Sequence, residues 1–338
     1  MPKVWTKFSN PNHEELLRWF RSENAGELHF DSLHPVAQQA LISFEDEFAD
    51  PFPRIESHGS YVFGLFAAPT SVEDDRADFF TVLFLANFDQ IVTVLRAAPR
   101  GANTPRNFKL ETIDQAIDRA SNLFDHPEWS VGMAIAKIAD IFVSEIEKSL
   151  EILKSNVLKD LELVTSESRQ IPSNADAAYL SELYRRTAVN KTEVVSLRTL
   201  LQETKNVFKA VSSDEVDVRR RAADINEELF PPFVEVSIND LLMRTRHLTS
   251  IRNNLESDLE LMFKRFQEIQ NTQQTAVGRK FTGVLSILLL PQLIAGYFGQ
   301  NFESTPGYRD DLGWAYSLAL IVLVSLFQFY WFRKRKYL

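Results

Sequence analysis

Two uncharged apolar runs near the end of the chain constrain its fold most strongly. They cover residues 281–298 and 312–332, which is 18 and 21 residues. As helices with a rise of about 1.5 Å per residue, they would span about 27 and 31 Å, close to the hydrocarbon thickness of a bilayer. The runs carry aromatic side chains where membrane interfaces are expected, among them Trp314, Tyr316, Tyr330 and Trp331. The pattern predicts a transmembrane hairpin, and a buried helix pair in a soluble core is the alternative.

The charges around this hairpin predict its orientation. Arg279 and Lys280 precede the first run and four basic residues follow the second, whereas the connection carries Glu303, Asp310 and Asp311 against a single arginine. By the positive-inside rule, the N- and C-termini lie in the cytoplasm and the loop faces outward, which suits a cell (inner) membrane protein. The loop acids would concentrate cations near the membrane, or they would be screened by salt.

Composition and motifs exclude several function classes. The net charge is −9 and there are no cysteines, which argues against nucleic-acid binding, a disulfide framework, thiolate metal sites and a cysteine nucleophile. The six histidines show no metal-ligand spacing, and the chain lacks a phosphate-binding glycine loop and a serine-nucleophile motif. We therefore expect a protein that is not an enzyme.

The remaining sequence divides into three segments. Residues 1–128 predict a cytoplasmic α+β domain, with β-rich runs at 61–67, 79–86 and 91–95 forming a sheet. The last two runs are joined by the connection Asn87-Phe88-Asp89-Gln90. Residues 129–280 predict long helices and a coiled-coil-like stalk, and residues 281–338 predict the transmembrane hairpin with a basic cytoplasmic tail. The stalk prediction rests on apolar residues that recur every seven positions: Leu241, Leu248, Leu255, Met262 and Ile269. A helix over 236–298 would be 63 residues and about 95 Å long, and would run from the cytoplasm into the membrane.

The end of the first apolar run resembles a known family. Residues 290–303 have the sequence LPQLIAGYFGQNFE. This stretch is similar to the CorA family of divalent-cation channels and transporters, in which Tyr-Gly-Met-Asn-Phe-Glu ends the first of two C-terminal transmembrane helices. Gly299 and Asn301 match, and Gln300 stands where the main branch has methionine. The zinc-linked ZntB branch tolerates other residues at this position.

The resemblance implies a CorA-like fold, which combines an α+β cytoplasmic domain, a long helical stalk and two C-terminal transmembrane helices. It also implies a homopentamer in the lipid bilayer, with five first-span helices around a central pore. The expected cargo is Mg²⁺, with Co²⁺ or Ni²⁺ as further ions. One alternative is Zn²⁺ transport of the ZntB type, and the other is a non-conducting, membrane-tethered scaffold or sensor.

The resemblance also implies a pore mouth and a pore face. A ring of Asn301 amides at the outer mouth would hydrogen-bond the water shell of a hydrated cation, next to Gly299, Gln300 and Glu303. A plain helix end followed by a turn is the alternative. Counting back from Asn301, the pore face would comprise Gln292, Leu289, Leu285, Phe281, Gly278, Gln274 and Asn271.

Some of these positions have a second interpretation. Gln292 could contact a hydrated ion or make an interhelical hydrogen bond, and the leucines could gate the pore or simply face lipid. Counting back along the same helix face also reaches Lys264, whose positive charge would repel cations in the pore unless its side chain points outward.

A regulatory metal site is also implied by the resemblance. Asp240 matches a family aspartate that binds regulatory Mg²⁺ between protomers, and Asp74 and Asp75 would be its partners. An exposed helix aspartate or a helix N-cap is the alternative.

Overall fold

The computed structural model describes residues 3–42, 52–73, 76–96, 106–124, 129–167, 174–216, 218–222, 225–299 and 313–335. The chain forms two compact units. The first contains residues 1–163 and 175–262, and the second contains residues 164–174 and 263–338. The segment boundaries expected after residues 128 and 280 stay predictions.

A five-stranded mixed sheet is the centre of the first unit. Its strands are β1 (Val4–Ser9), β2 (Arg54–Ser57), β3 (Val62–Glu73), β4 (Arg76–Ala86) and β5 (Gln90–Arg96). Their order in the sheet is β1-β5-β4-β3-β2; β1 and β5 run parallel, and the other neighbouring pairs run antiparallel. The expected turn between β4 and β5 forms because the Asn87 side-chain oxygen accepts hydrogen bonds from the backbone N–H groups of Asp89 and Gln90.

Successive strand residues point to opposite sides of the sheet, so both of its faces carry apolar side chains. Helices cover both faces. On one face, Phe63, Leu85 and Val94 form a core with α1 (His13–Phe20) and α2 (Pro35–Ile42). On the other face, the Phe66 ring lies 6.5 Å from the Phe142 ring and 6.3 Å from the Phe208 ring, measured between centroids. The sheet therefore lies between two helical layers.

Long helices make up most of the rest of the chain. The heptad-spaced residues Leu241, Leu248, Leu255 and Met262 are all buried, so the predicted stalk helix has its apolar face against protein. The helices are α3 (Arg106–Leu123), α4 (Val131–Glu167), α5 (Asn174–Ser212), α6 (Pro232–Phe298) and α7 (Gly313–Lys334). A two-stranded antiparallel hairpin, β6 (Arg219–Ala222) with β7 (Ile225–Glu228), connects α5 to α6.

Candidate functional site: the α6–α7 hairpin and the Asp240 region

Two helices in the described part of the chain are long and apolar enough to cross a membrane, and they are α6 and α7. Only 11% of the apolar window of each is buried within the chain. A core helix of a soluble protein would be covered by its own chain. The exposure therefore favours the transmembrane hairpin over the soluble alternative.

One side of α6 packs on α7. Gly283 is buried, Ile287 and Ile294 are half-buried, and the Ser286 carbonyl oxygen accepts a hydrogen bond from Gln328 Nε2 of α7 at 3.2 Å. Gln328 is 8% exposed. A polar side chain inside a membrane span is costly unless it is paired, which explains its place between the helices. Sequence reasoning missed Gln328, although a glutamine within an apolar run is a recognisable signal.

The predicted pore face is on the opposite side of α6. At 100° per residue, these positions centre about half a turn away from the side that packs on α7. All of them are exposed: Asn271, Gln274, Gly278, Phe281, Leu285, Leu289 and Gln292. Gln292 is exposed, and both of its interpretations, contact with a hydrated ion and an interhelical hydrogen bond, stay predictions.

At the end of α6, the Gly299 N–H donates to the Ala295 carbonyl oxygen at 2.9 Å. Gly299 thus closes the last turn directly before the predicted mouth. Gln300, Asn301 and Glu303 lie outside the described residues, and so do Asp74, Asp75, Asp310 and Asp311. Their assignments stay predictions.

In the first unit, Asp240 lies in the third turn of α6 and is exposed. It borders a cavity of about 480 Å³ between the starts of α4 and α6, together with Trp129, Lys137, Asp140 and Phe233. Among the described residues, no group of three or more histidine, aspartate or glutamate side chains could hold a metal ion. A divalent ion at Asp240 would therefore need further ligands from residues outside the described part of the chain or from another copy of the chain.

One turn beyond Asp240, Arg244 of α6 makes hydrogen bonds to α4. Its guanidinium donates to Asp140 Oδ1 and to Glu147 Oε2, each at 2.7 Å, and to Ser144 Oγ at 3.2 Å. Burial opposes ionisation of Asp140, but hydrogen bonds from Lys137 and Arg244 outweigh it and hold the pKa of this carboxyl below its usual value. The hydrogen bond to Glu147 contributes most to raising the Arg244 pKa. Sequence reasoning missed this ion-pair network.

The model of the CorA-like Mg²⁺ transporter protein family matches residues 3–334. The chain belongs to this CorA-like family. The expected fold class, an α+β domain with long helices and two C-terminal apolar helices, is confirmed by a solved CorA structure. That structure, the complete CorA magnesium transporter from Methanocaldococcus jannaschii, matches with a TM-score of 0.68 at 15% sequence identity, covering 98% of this chain and 90% of that one.

Two further proteins are similar to this chain. The chain is 22% identical over 210 residues to the magnesium transport protein CorA of Pectobacterium atrosepticum; the match covers 61% of this chain and spans 60% of that relative's length. The ZntB cytoplasmic domain from Vibrio parahaemolyticus shares the fold with a TM-score of 0.50 at 8% identity, covering 81% of this chain and 89% of that one.

Proposed function

We propose that this CorA-family protein transports divalent cations, with Mg²⁺ as the principal ion, through a homopentameric membrane pore. The observation that carries the proposal is the uncovered side of α6, which faces away from α7 and ends at the Gly-Gln-Asn tripeptide. A pair of helices cannot enclose an aqueous path, so a pore lined by this side requires several copies of the chain. Uptake would be driven by the membrane potential, worth about 2.3 kcal/mol per charge per 100 mV.

The exposed face at the start of α6 suits contact with another copy. Phe233, Val236 and Met243 are 54%, 70% and 58% exposed and share one side of the helix with Asp240. Exposed apolar side chains grouped around a carboxylate are typical of an interface between subunits. In a pentamer this face would bring Asp240 near a neighbouring protomer, where Mg²⁺ could bridge it to Asp74 or Asp75.

Within the pore, the Asn301 amides would bind the hydrated cation at the outer mouth. Magnesium releases its waters reluctantly, so contact through the water shell is chemically favourable. Below the mouth, Gln292 would contact the ion's waters, and Leu289, Leu285 and Phe281 would form apolar constrictions that close by dewetting.

Zinc transport is the second candidate, and Gln300 is the observation that favours it. The resemblance to the main CorA branch predicts methionine at this position, whereas the zinc-linked branch accepts other residues. Cobalt and nickel are expected as further ions if magnesium is the cargo.

The experiment is a flux assay with the full-length protein in liposomes, which compares Mg²⁺, Zn²⁺ and Co²⁺ with and without a pH gradient. We expect potential-driven Mg²⁺ uptake that needs no pH gradient. Zinc uptake that depends on a pH gradient would favour the second candidate. No flux of any divalent ion by an intact pentamer would instead indicate a scaffold or sensor.

A further inference from the structure

Five exposed basic residues lie at one end of the hairpin that α6 and α7 form. They are Arg279 and Lys280 of α6 and Arg333, Lys334 and Arg335 of α7. Residues 269–299 and 313–335, the described part of the hairpin, contain no aspartate or glutamate. No carboxylate of this part therefore neutralises the five positive charges, although the chain as a whole has a net charge of −9.

The hydrogen bond between Gln328 and Ser286 fixes the level of these residues along the hairpin. Arg279 lies seven residues before Ser286 on α6, and Arg335 lies seven residues after Gln328 on α7. The two helices of a hairpin run in opposite directions. At 1.5 Å per residue, both arginines therefore lie about 10 Å from this contact and towards the same end. The basic residues of α6 and of α7 thus reach a similar depth in the membrane.

Helical spacing places three of the five cations beside the groove between the two helices. Arg335 follows Gln328 by nearly two full turns, so it shares the side of α7 that contacts α6. Arg279 and Lys280 precede the buried Gly283 by four and three residues, so they flank the side of α6 that packs on α7. We call these three residues the basic groove. The predicted pore face is on the other side of α6, so the basic groove would not line the pore.

Aromatic side chains mark the depth of the basic groove. Tyr330 and Trp331 are 66% and 47% exposed and lie about one turn before Arg335. The guanidinium carbon of Arg335 lies 5.5 Å from the centre of the Trp331 ring. Exposed tryptophan and tyrosine at the end of a membrane span lie at the level of the lipid headgroups. The cations of the groove are therefore at the depth of the headgroup phosphates.

We propose that the basic groove of Arg279, Lys280 and Arg335 binds the headgroup phosphate of an anionic phospholipid from the leaflet at this end of the hairpin. Arginine and lysine form charge-assisted hydrogen bonds with phosphate oxygens, and basic pockets between transmembrane helices bind anionic headgroups. A phospholipid, unlike a soluble phosphate ester, also covers the apolar windows of α6 and α7 next to the groove, of which only 11% is buried within the chain.

The bound lipid has a structural consequence. Its phosphate holds the ends of α6 and α7 together, in addition to the hydrogen bond between Gln328 and Ser286. This inference rests on insertion of the hairpin into a membrane and not on ion transport. A protein that moves no divalent cation would still bind the lipid.

The test measures which lipid contacts Trp331. The full-length protein carries Trp314→Phe, so that Trp331 is the only tryptophan of the hairpin. It is placed in nanodiscs of phosphatidylcholine with a minor fraction of phosphatidylglycerol, and bromine is attached either to the phosphatidylglycerol or to an equal amount of the phosphatidylcholine. Brominated chains quench tryptophan fluorescence at close range, and each intensity is divided by that in the unbrominated mixture. We expect phosphatidylglycerol to quench Trp331 at least about twofold more than phosphatidylcholine does.

Two double variants separate the groove from general attraction to an anionic membrane. Arg279→Gln/Lys280→Gln removes the two α6 cations of the groove. Arg333→Gln/Lys334→Gln is the matched control, because these residues follow Gln328 by five and six positions and point away from α6. Each variant loses one arginine and one lysine, so general attraction predicts equal effects. We expect the preference for phosphatidylglycerol to disappear in the groove variant and to persist in the control.

Three results would overturn the proposal. The first is equal quenching by the two lipids in the protein with the native groove, a comparison that needs neither double variant to fold. The second is an equal loss of preference in both double variants. The third is a preference that inorganic phosphate removes at constant ionic strength, because it would identify a soluble anion as the ligand. None of these results depends on ion flux, so failure of the transport proposal is distinguishable from failure of this one.

Discussion

Gln328 of α7 donates its side-chain N–H to the backbone carbonyl oxygen of Ser286 in α6 at 3.2 Å. Pro291 has no N–H, so the carbonyl oxygen of Ile287 lacks its usual donor in the hydrogen-bond ladder of α6. Ser286 is the residue directly before Ile287. The Gln328 hydrogen bond therefore joins the two helices next to this gap in the ladder.

Gln328→Leu should destabilise the hairpin by about 0.6 to 1.7 kcal/mol, because leucine keeps the volume but cannot donate a hydrogen bond. Hydrogen exchange of the peptide around residues 284–291, measured in nanodiscs, should become faster. Ser317→Ala is the control, because the Ser317 hydroxyl donates within its own helix to the Trp314 carbonyl oxygen. Equal exchange in Gln328→Leu and wild type would show that this hydrogen bond does not hold the helices together.

Arg244→Met should lower the stability of the first unit by about 1 to 3 kcal/mol, since it leaves Glu147 without this cation and Asp140 with Lys137 alone. Denaturant unfolding of the full-length protein measures the loss. The exposed Arg246→Met is the control and should change stability by less than about 0.5 kcal/mol. A loss for Arg244→Met no larger than for the control would contradict the role of the network.

The pH dependence of stability follows from Asp140. The pKa of Asp140 is lower in the folded protein than in the unfolded chain. Its contribution to the free energy of unfolding is therefore fully present above the unfolded pKa of about 3.9, and it is lost as the pH falls from there through the folded pKa. Stability should therefore decline below about pH 4, and Asp140→Asn should make that decline shallower. An identical pH profile for wild type and Asp140→Asn would exclude this linkage.

Asp240→Ala should weaken inhibition of transport by internal Mg²⁺, because it removes the carboxylate that we propose as a regulatory ligand. The measurement is flux into liposomes as a function of Mg²⁺ on the cytoplasmic side. Glu260→Ala removes an exposed acid elsewhere on α6 and should leave the inhibition unchanged. Unaltered inhibition in Asp240→Ala would remove Asp240 from the regulatory site.

Gln300→Met restores the tripeptide of the main CorA branch and tests what the glutamine does. If the glutamine shifts selectivity away from magnesium, the variant should raise Mg²⁺ flux relative to Zn²⁺ flux severalfold. Parallel uptake of both ions by the wild type and the variant gives the ratio. An unchanged ratio would mean that Gln300 does not set selectivity.

Local patterns predicted the elements of this fold well, whereas pairings between distant residues were not predictable. The buried heptad of α6 and the turn at Asn87 depend on nearby residues, so periodicity and turn chemistry were sufficient. The contact between Arg244 and Asp140 joins residues 104 apart in sequence and depends on how α4 packs on α6.

The hairpin of β6 and β7 was missed for a similar reason. Its first strand begins with three consecutive arginines and lacks apolar alternation. It is held instead by Arg220, which donates to Asp89 at 2.6 Å and lies 4.9 Å from the centre of the Phe88 ring. Helical spacing and the Gly-x-Asn match give the predicted pore face a direction on α6, and its assignment stays a prediction. The Gln328 contact was not predictable in this way, because it depends on the packing of α7.

The most direct test of the account is Mg²⁺ uptake into liposomes by wild type and Asn301→Ala at the same membrane potential. Asn239→Ala is the control, because it removes the same side chain at an exposed position of α6 in the first unit. We predict robust uptake by wild type and the control, and a loss of about tenfold or more, or a change of ion selectivity, for Asn301→Ala. Equal flux and equal selectivity in all three proteins would contradict the assignment of Asn301 to the pore mouth.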